Sequence, residues 1–296
     1  MNNSIMQIKS MESEGFAGIT LARVFSASIF NELANKGFSP TLQSLTLELG
    51  FQLNSFNNLS EFFEFAYKAL SKIYRNEYLY KNAIANKILL GRHSINTAAM
   101  LSEFRIANSK ADAVILNGTS HIYEIKTELD SLERLEQQIS DYLKFAEFVS
   151  VVADGKHISK LENFLPEYVG LIEFTIRDTL KVHRKAISNV ANLDLAVMFD
   201  SLRKDEYISV ISTYYGYVPK APNTLIYKEC KTLFLNIPLH KAHSLVLKTL
   251  KLRANNKLDK NFVLKAPKSL KAPILCTDLT KKQINNLSSA LGGGII

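Results

Sequence analysis

Short apolar runs separated by turn signals occupy the middle of the chain and predict a strand-rich core. Residues 114–116 are a β-branched run, and Asn117-Gly118 after them is a hairpin turn signal. Residues 122–125 continue the hairpin as a second strand. The runs at 148–152 and 168–176 predict two more strands of the same sheet.

Apolar residues at helical spacing lie between and before these strands. A helix over 131–146 is predicted by its apolar periodicity, and Asp130 before it has the spacing of a capping box with Glu133, three residues later. A short helix is expected near 158–164. Residues 73–90 are expected to be the first core helix, with Gly91 as its C-cap.

Helical patterns flank this core on both sides. The stretch 14–70 carries few basic residues, so a small helical bundle is favoured there over a helix-turn-helix DNA reader. Further helices are predicted after the last strand, over 193–202, 205–214 and 239–252. The predicted domains are a helical N-terminal extension at 1–70, a core at 71–180 and a mainly helical, basic C-terminal region at 181–296.

The hairpin carries the chemistry. Side chains alternate across a strand, so Glu124 and Lys126 share one face, while His121 lies on the opposite face. Asp112, at the start of the first strand, is brought beside this pair by the hairpin turn. Two converging carboxylates offer oxygen ligands that suit Mg²⁺ or Mn²⁺. The alternative is that Asp112 belongs to a turn and that Glu124 and Lys126 form a solvated pair.

The predicted helix after the hairpin favours the metal site. Gln138 and Tyr142 are four residues apart, so they share one face at the margin of the apolar stripe. A helix in this position packs on the strands, which brings a polar pair towards the acidic residues. The local order is therefore strand, strand, helix, strand, with the carboxylates on the first two strands.

This order of motifs resembles the PD-(D/E)xK nuclease superfamily, and the Gln138 and Tyr142 spacing resembles the QxxxY element of its RecB-like branch. The resemblance covers roughly residues 70–175 and departs from the family pattern in having Ala111 where a proline precedes the aspartate. It implies an α/β (α+β) restriction-endonuclease-like fold, a mixed sheet flanked by helices, with helical additions at both ends.

The resemblance also implies roles for individual residues. Asp112 and Glu124 would bind Mg²⁺ or Mn²⁺ with the backbone carbonyl of Ile125, and Lys126 would position or activate the attacking water. Gln138 and Tyr142 would brace the site or touch the substrate backbone. A further acidic residue, Glu103 or Glu77, would complete the site.

Composition limits the remaining choices. The net charge of +8 is concentrated from residue 241 onward, where eleven basic and two acidic residues give +9. Such a segment suits a phosphate backbone, although a solubilising lysine-rich surface accounts for it equally well. Two distant cysteines predict free thiols, and no apolar run reaches the ~18 residues of a membrane span. The start lacks the apolar stretch of a signal peptide, so a cytoplasmic protein is expected.

Other chemistries fit less well. The six histidines are scattered without a zinc-ligand spacing, and there is no glycine-rich phosphate loop or serine-hydrolase elbow. The sequence therefore predicts a metal-dependent nuclease acting on nucleic acid, DNA first, in a setting such as phage defence or DNA repair. An oligomer or a protein partner is compatible with it. The alternative is a catalytically inactive nuclease-fold module that binds nucleic acid or protein.

Overall fold

The computed structural model describes residues 14–255 and 258–292, and the chain divides into two compact units. The helical unit takes Met1–Gly91 together with Lys257–Ile296, and the sheet unit takes Arg92–Asn256. The predicted boundaries at residues 70 and 180 concern the extent of a nuclease core, and they stay a prediction. Nearly all of the predicted site residues belong to the sheet unit.

Helices make up most of the described chain, and a π-helical segment at Ile84–Leu89 lies between two of them. The helices in chain order are α1 (Glu14–Ala22), α2 (Ala27–Lys36), α3 (Pro40–Glu48), α4 (Leu59–Ile73), α5 (Glu77–Ala83), α6 (Leu90–Arg92), α7 (Leu135–Leu143), α8 (Gly155–Phe164), α9 (Leu195–Asp200), α10 (Lys204–Tyr215), α11 (Ile226–Leu235), α12 (Leu239–Asn255), α13 (Lys260–Lys265), α14 (Lys271–Cys276) and α15 (Lys281–Leu291). Of these described helices, none has both the length and the apolarity needed to cross a bilayer.

The sheet unit is built on a six-stranded mixed sheet whose strands follow one another in chain order. The strands are β1 (Ala99–Ile106), β2 (Ser109–Leu116), β3 (Ser120–Lys126), β4 (Phe148–Ala153), β5 (Gly170–Phe174) and β6 (Leu180–Arg184). The first three strands are antiparallel, β3 to β5 are parallel, and β6 returns antiparallel to β5. The fold is therefore α+β, a mixed sheet flanked by helices, which confirms the predicted fold class.

One face of the sheet is covered by helices of the same unit. Val114, Ile122 and Val151 on this face join a continuous buried cluster with residues of α7 to α12. Phe199 and Phe234 lie at its centre with 0% of their surface exposed. Because the parallel strands are linked through α7 and α8, these helices must pack on the sheet, and α7 carries the predicted Gln138 and Tyr142 to it.

The predicted helix at 131–146 is shorter than expected. It spans Leu135–Leu143, and its N-cap residue, Arg134, makes no side-chain capping bond. The predicted capping box at Asp130 was wrong, because the Asp130 carboxylate accepts hydrogen bonds from the backbone N–H and hydroxyl of Thr127, each at 2.7 Å. Asp130 thus closes a tight turn directly after β3 and does not start the helix.

Other boundaries also differ. The helix predicted at 73–90 begins later, at Glu77, and continues through the π-helical segment Ile84–Leu89 to Arg92. Gly91 was predicted as a C-cap but lies inside α6. Strands β1 and β6 were not predicted, and the strand predicted at 168–176 is the shorter β5. Helix α11 and helices α13 to α15 were also missed.

In its described residues the helical unit is held together by aromatic packing and by one buried amide. Phe62 and Phe63 are almost fully buried and contact neighbouring rings of the same unit, including Phe25 and Phe51. Asn82 on α5, 1% exposed, donates to the carbonyl of Lys268 and accepts from the N–H of Ala272. The last part of the chain therefore packs back onto α5.

Candidate active site

Three acidic residues lie at neighbouring positions on β1, β2 and β3. Glu103 and Asp112 fall between the paired residues Ser102 with Ala113 and Phe104 with Ala111, so the β1–β2 register places them opposite each other. A carboxylate oxygen of one lies within 4.8 Å of a carboxylate oxygen of the other. The β2–β3 ladder begins immediately beside Asp112, at the pair of Ala113 and Tyr123.

Asp112 is fixed to the third strand by a backbone hydrogen bond. Its Oδ2 accepts the N–H of Ile125 at 2.7 Å, which places the aspartate next to the Glu124–Lys126 segment. This is the side-by-side arrangement that the hairpin predicts. Ile125 thus contributes its N–H to the site, and the role that the resemblance implies for its carbonyl stays a prediction.

A buried polar network surrounds Glu124. Its Oε1 accepts from the ammonium of Lys126 at 2.9 Å, and its Oε2 accepts from the hydroxyl of Tyr142 at 2.7 Å. The same ammonium donates to Oε1 of Gln138 at 3.0 Å. Glu124, Lys126 and Tyr142 are 1%, 7% and 0% exposed. The pair is therefore not the solvated ion pair of the alternative interpretation.

The electrostatics of this network follow from its burial. Burial raises the pKa of Glu124 above its ordinary value, while the charge and hydrogen bond of Lys126 act in the opposite direction. Burial also raises the pKa of Tyr142, and the negative charges of Glu124 and Asp112 raise it further. Tyr142 is thus a neutral hydroxyl that donates a hydrogen bond to the carboxylate.

The two candidates for an additional acidic residue lie in different units. Glu103 is on β1 of the sheet unit, pairs with Lys110 at 2.5 Å, and adopts a positive φ of 54°. A positive φ is unfavourable for a residue with a side chain, and it marks a local irregularity within β1. Glu77 is in the first turn of α5 in the helical unit and forms an ion pair with Lys81.

The turn after β3 was missed as part of the site. Thr127, 7% exposed, follows Lys126 directly and is bound by Asp130. The carbonyl of Lys126 accepts from the N–H of Asp154, which also caps α8. These bonds hold the end of the strand that carries Lys126. The Thr-x-x-Asp spacing of the turn was visible in the sequence but was assigned to a helix start.

The donor set fits a divalent cation of the magnesium type. Asp112, Glu124 and Glu103 supply carboxylate oxygens, which are the ligands that Mg²⁺ and Mn²⁺ prefer. No cysteine lies among the site residues, and His121 lies on the other sheet face, where it bonds Ser150 and Tyr123. The described site therefore offers hard oxygen ligands with a buried ammonium beside them.

Comparison with known proteins gives the family. A family model described as Bacteriophage P4 protein cII matches residues 71–283. The chain belongs to the bacteriophage P4 protein cII family. The cII match includes every residue of the candidate site, from Glu77 to Tyr142.

Two similar proteins extend the comparison. Protein cII of Enterobacteria phage P4 is 28% identical over 148 residues, a match that takes in 48% of this chain and 52% of the phage protein. The chain thus spans about half the length of that cII relative. Among solved structures, the SPO1766 protein of unknown function from Silicibacter pomeroyi matches at 18% identity and a TM-score of 0.26, over 31% of this chain and 62% of that chain.

Proposed function

We propose that this member of the cII family is a metal-dependent nuclease of the PD-(D/E)xK type that hydrolyses phosphodiester bonds, with DNA as its substrate. The observation that carries the proposal is the position of Lys126. Its ammonium lies 2.9 Å from Glu124 and 3.0 Å from Gln138 in a buried site beside Asp112. A buried lysine and carboxylate pair is costly to keep, which favours a chemical use for it.

Asp112 and Glu124 would hold Mg²⁺ or Mn²⁺, with Glu103 and the carbonyl of Ile125 as further oxygen donors. When bound, such an ion acidifies a coordinated water and neutralises charge on a phosphate.

The other residues supply orientation and positive charge. Lys126 would orient the attacking water or donate to the oxygen on which negative charge develops. Gln138 holds the ammonium from the helix side, and Tyr142 holds Oε2 of Glu124 from the same helix. Since α7 carries both side chains, one rigid element fixes the lysine and the carboxylate together.

The proposed substrate and setting rest on charge and chemistry. In the sheet unit, α12 carries Lys248 and Lys251 on its surface, which would contact a phosphate backbone. Not all of the basic segment is available, because Arg253 pairs with Glu206, and Lys271 donates to the carbonyls of Val263 and Leu264. A cytoplasmic enzyme of phage defence or DNA repair would fit this activity and the family's phage name.

The test is cleavage by the purified chain in Mg²⁺ or Mn²⁺. Linear, supercoiled and single-stranded DNA and RNA are compared, with Lys126→Ala and Asp112→Asn as variants. We expect each variant to lose at least about 100-fold in rate, the scale of one electrostatic catalytic group. Lys160→Ala, at an exposed position of α8, is the matched control and should cleave normally. Equal cleavage by Lys126→Ala and Lys160→Ala would refute the proposal.

One observation favours a second candidate, an inactive nuclease-fold module that binds nucleic acid or protein. Both carboxylate oxygens of Glu124 already accept hydrogen bonds from Lys126 and Tyr142, so the network is satisfied by protein groups alone. Calorimetric titration with Mn²⁺ separates the two candidates. The nuclease should bind the ion, and Asp112→Asn should abolish binding, whereas an inactive module would show no Mn²⁺ binding that depends on Asp112.

A further inference from the structure

A second candidate site lies on the opposite face of the sheet from Glu124. A cavity of about 240 Å³ is formed there entirely by residues of the sheet unit. Its buried residues come from the middle strands and include Ile115, Tyr123, Ser150 and Ile172. The cavity therefore shares the sheet with the candidate nuclease site but uses the side chains that point the other way.

The lining of this cavity is basic. Arg92, Arg184 and Lys185 contribute to it, and none of the described residues that line it is acidic. The acid on the adjacent strand β5, Glu173, is not among the lining residues. It pairs instead with Lys181 and His183, which alternate along β6 with the residues that line the cavity. A bound anion would therefore meet three cations without a competing carboxylate.

The three cations differ in how they are held. Arg184 is fixed, because its guanidinium donates to the backbone carbonyls of Val169 and Leu165. Arg92 and Lys185 are exposed, and neither has a hydrogen-bonding or ionic partner among the described residues. Two cations at the edge of the cavity are thus available to a ligand.

A flat aromatic surface adjoins the basic side chains. The rings of His121 and Tyr123 stack with centroids 4.2 Å apart at 17°, and Phe148 lies 5.5 Å from His121. Both nitrogens of His121 are engaged, Nδ1 with the Tyr123 hydroxyl and Nε2 with Ser150. Burial and the nearby His93 and Arg92 lower the pKa of His121 to about 3, so its ring is neutral. A neutral, fixed ring is suited to stacking on a planar group.

Polar groups complete the lining. The amide of Asn117 donates to Nδ1 of His93 at 2.8 Å, which fixes that ring beside the cavity. Gly170 keeps the wall close, because a Cβ there would overlap Ser150 and approach the backbone nitrogen of Ala186 at 2.9 Å. Ala186 can therefore lie close to Gly170, which places Lys185 at the edge of the cavity.

We infer that this cavity binds a single nucleotide, with the phosphate at Arg92 and Lys185 and the base against the His121 ring. Its volume of about 240 Å³ is below the ~300 Å³ at which pockets for drug-sized ligands begin. The cavity would therefore enclose the base, while Arg92 and Lys185 at its exposed edge would meet the phosphate. The ligand is either a free nucleotide or the terminal nucleotide of a strand, which offer the same chemistry. The inference does not rest on the proposed nuclease activity.

The test is isothermal titration calorimetry of the full chain with adenosine 5′-monophosphate, adenosine and inorganic phosphate. We expect the monophosphate to bind most tightly. Arg92→Ala and Lys185→Ala should each weaken it by about tenfold, as expected for one charge-assisted contact to phosphate. Lys181→Ala, on the same strand as Arg184 but paired with Glu173, is the matched control and should bind normally. Both lost side chains are exposed, so folding should be unchanged in a thermal melt.

Further arms of the titration decide the remaining points. A 5′-phosphorylated trinucleotide that binds as well as the monophosphate identifies a strand end, and binding of the monophosphate alone identifies a free nucleotide. Glu124→Gln should bind normally, which separates this site from the nuclease site. The inference is overturned if the monophosphate does not bind, if phosphate or adenosine binds equally well, or if Lys181→Ala weakens binding as much as Arg92→Ala.

Discussion

Replacing Tyr142 by phenylalanine removes one donor from the buried carboxylate of Glu124 and leaves the packing of the ring in place. The hydroxyl lies 2.7 Å from Oε2 of Glu124 and 3.0 Å from the carbonyl of Lys110. It has one proton, so only one strong bond is lost, and the charged carboxylate is the stronger acceptor. Hydrogen bonds to charged groups contribute about 1.5–3 kcal/mol, and we expect a loss of about 2 kcal/mol in the free energy of unfolding.

The assay is urea unfolding followed by circular dichroism at pH 8 and pH 5. Tyr217→Phe is the matched control, because Tyr217 is 53% exposed, and its change should stay within about 0.5 kcal/mol. The hydroxyl of Tyr142 stabilises the ionised form of Glu124, whose pKa burial already raises. The cost of Tyr142→Phe should therefore be largest above the pKa of Glu124 in the folded protein and fall as the carboxyl group takes up a proton.

Two outcomes would show that the Tyr142 hydroxyl does not stabilise an ionised Glu124. If Tyr142→Phe is as stable as Tyr217→Phe at pH 8, the hydroxyl does not support a buried ionised carboxylate. If the cost of Tyr142→Phe grows as the pH falls, Glu124 is not the group to which the hydroxyl donates.

Two further predictions concern the other face of the sheet. The pKa of His121 is lowered from 6.5 to about 3, so as the pH falls the unfolded chain takes up a proton on this group before the folded chain does. Below pH 6.5, the free energy of unfolding should therefore fall by up to about 1.4 kcal/mol per pH unit because of His121. Urea unfolding of His121→Gln should lack this component, and an unchanged pH slope would contradict it. Gly170→Ala should cost about 1–3 kcal/mol by overpacking against Ser150. Gly155→Ala should cost almost nothing, because its Cβ would meet only the carboxyl group of Glu173, at 3.4 Å from Oε1. Equal thermal melts for the two glycine variants would contradict the predicted overlap.

The hairpin could be predicted because its signals are local. Gly118 adopts a φ of 74°, which glycine permits without strain, and the strands on either side of the turn pair as expected. Strand alternation then places Glu124 and Lys126 together. Apolar spacing predicted helix α7 but not its first residue. The side chain of Asp130 could cap the helix or bind the preceding turn, and in the structure it binds Thr127. Local spacing alone does not decide between a cap and a turn.

Strand β1 was missed because its sequence does not alternate cleanly and its place depends on pairing with β2. Glu103 adopts a positive φ in the middle of this strand, which an alternating pattern does not predict. Glu103 was therefore left as one of two candidates, and only the register with β2 sets it opposite Asp112. The basic cavity was missed for a similar reason, since Arg92 and Lys185 are far apart in sequence and line one cavity only in the folded sheet unit.

A crystal structure of the chain in Mn²⁺ tests the proposed metal site most directly, because the ion can be located by its anomalous scattering. We expect one strong anomalous peak with oxygens of both Asp112 and Glu124 in contact with it, and no such peak in crystals of Asp112→Asn. A wild-type structure in saturating Mn²⁺ that keeps Lys126 and Tyr142 on Glu124 and shows no peak at Asp112 would contradict it.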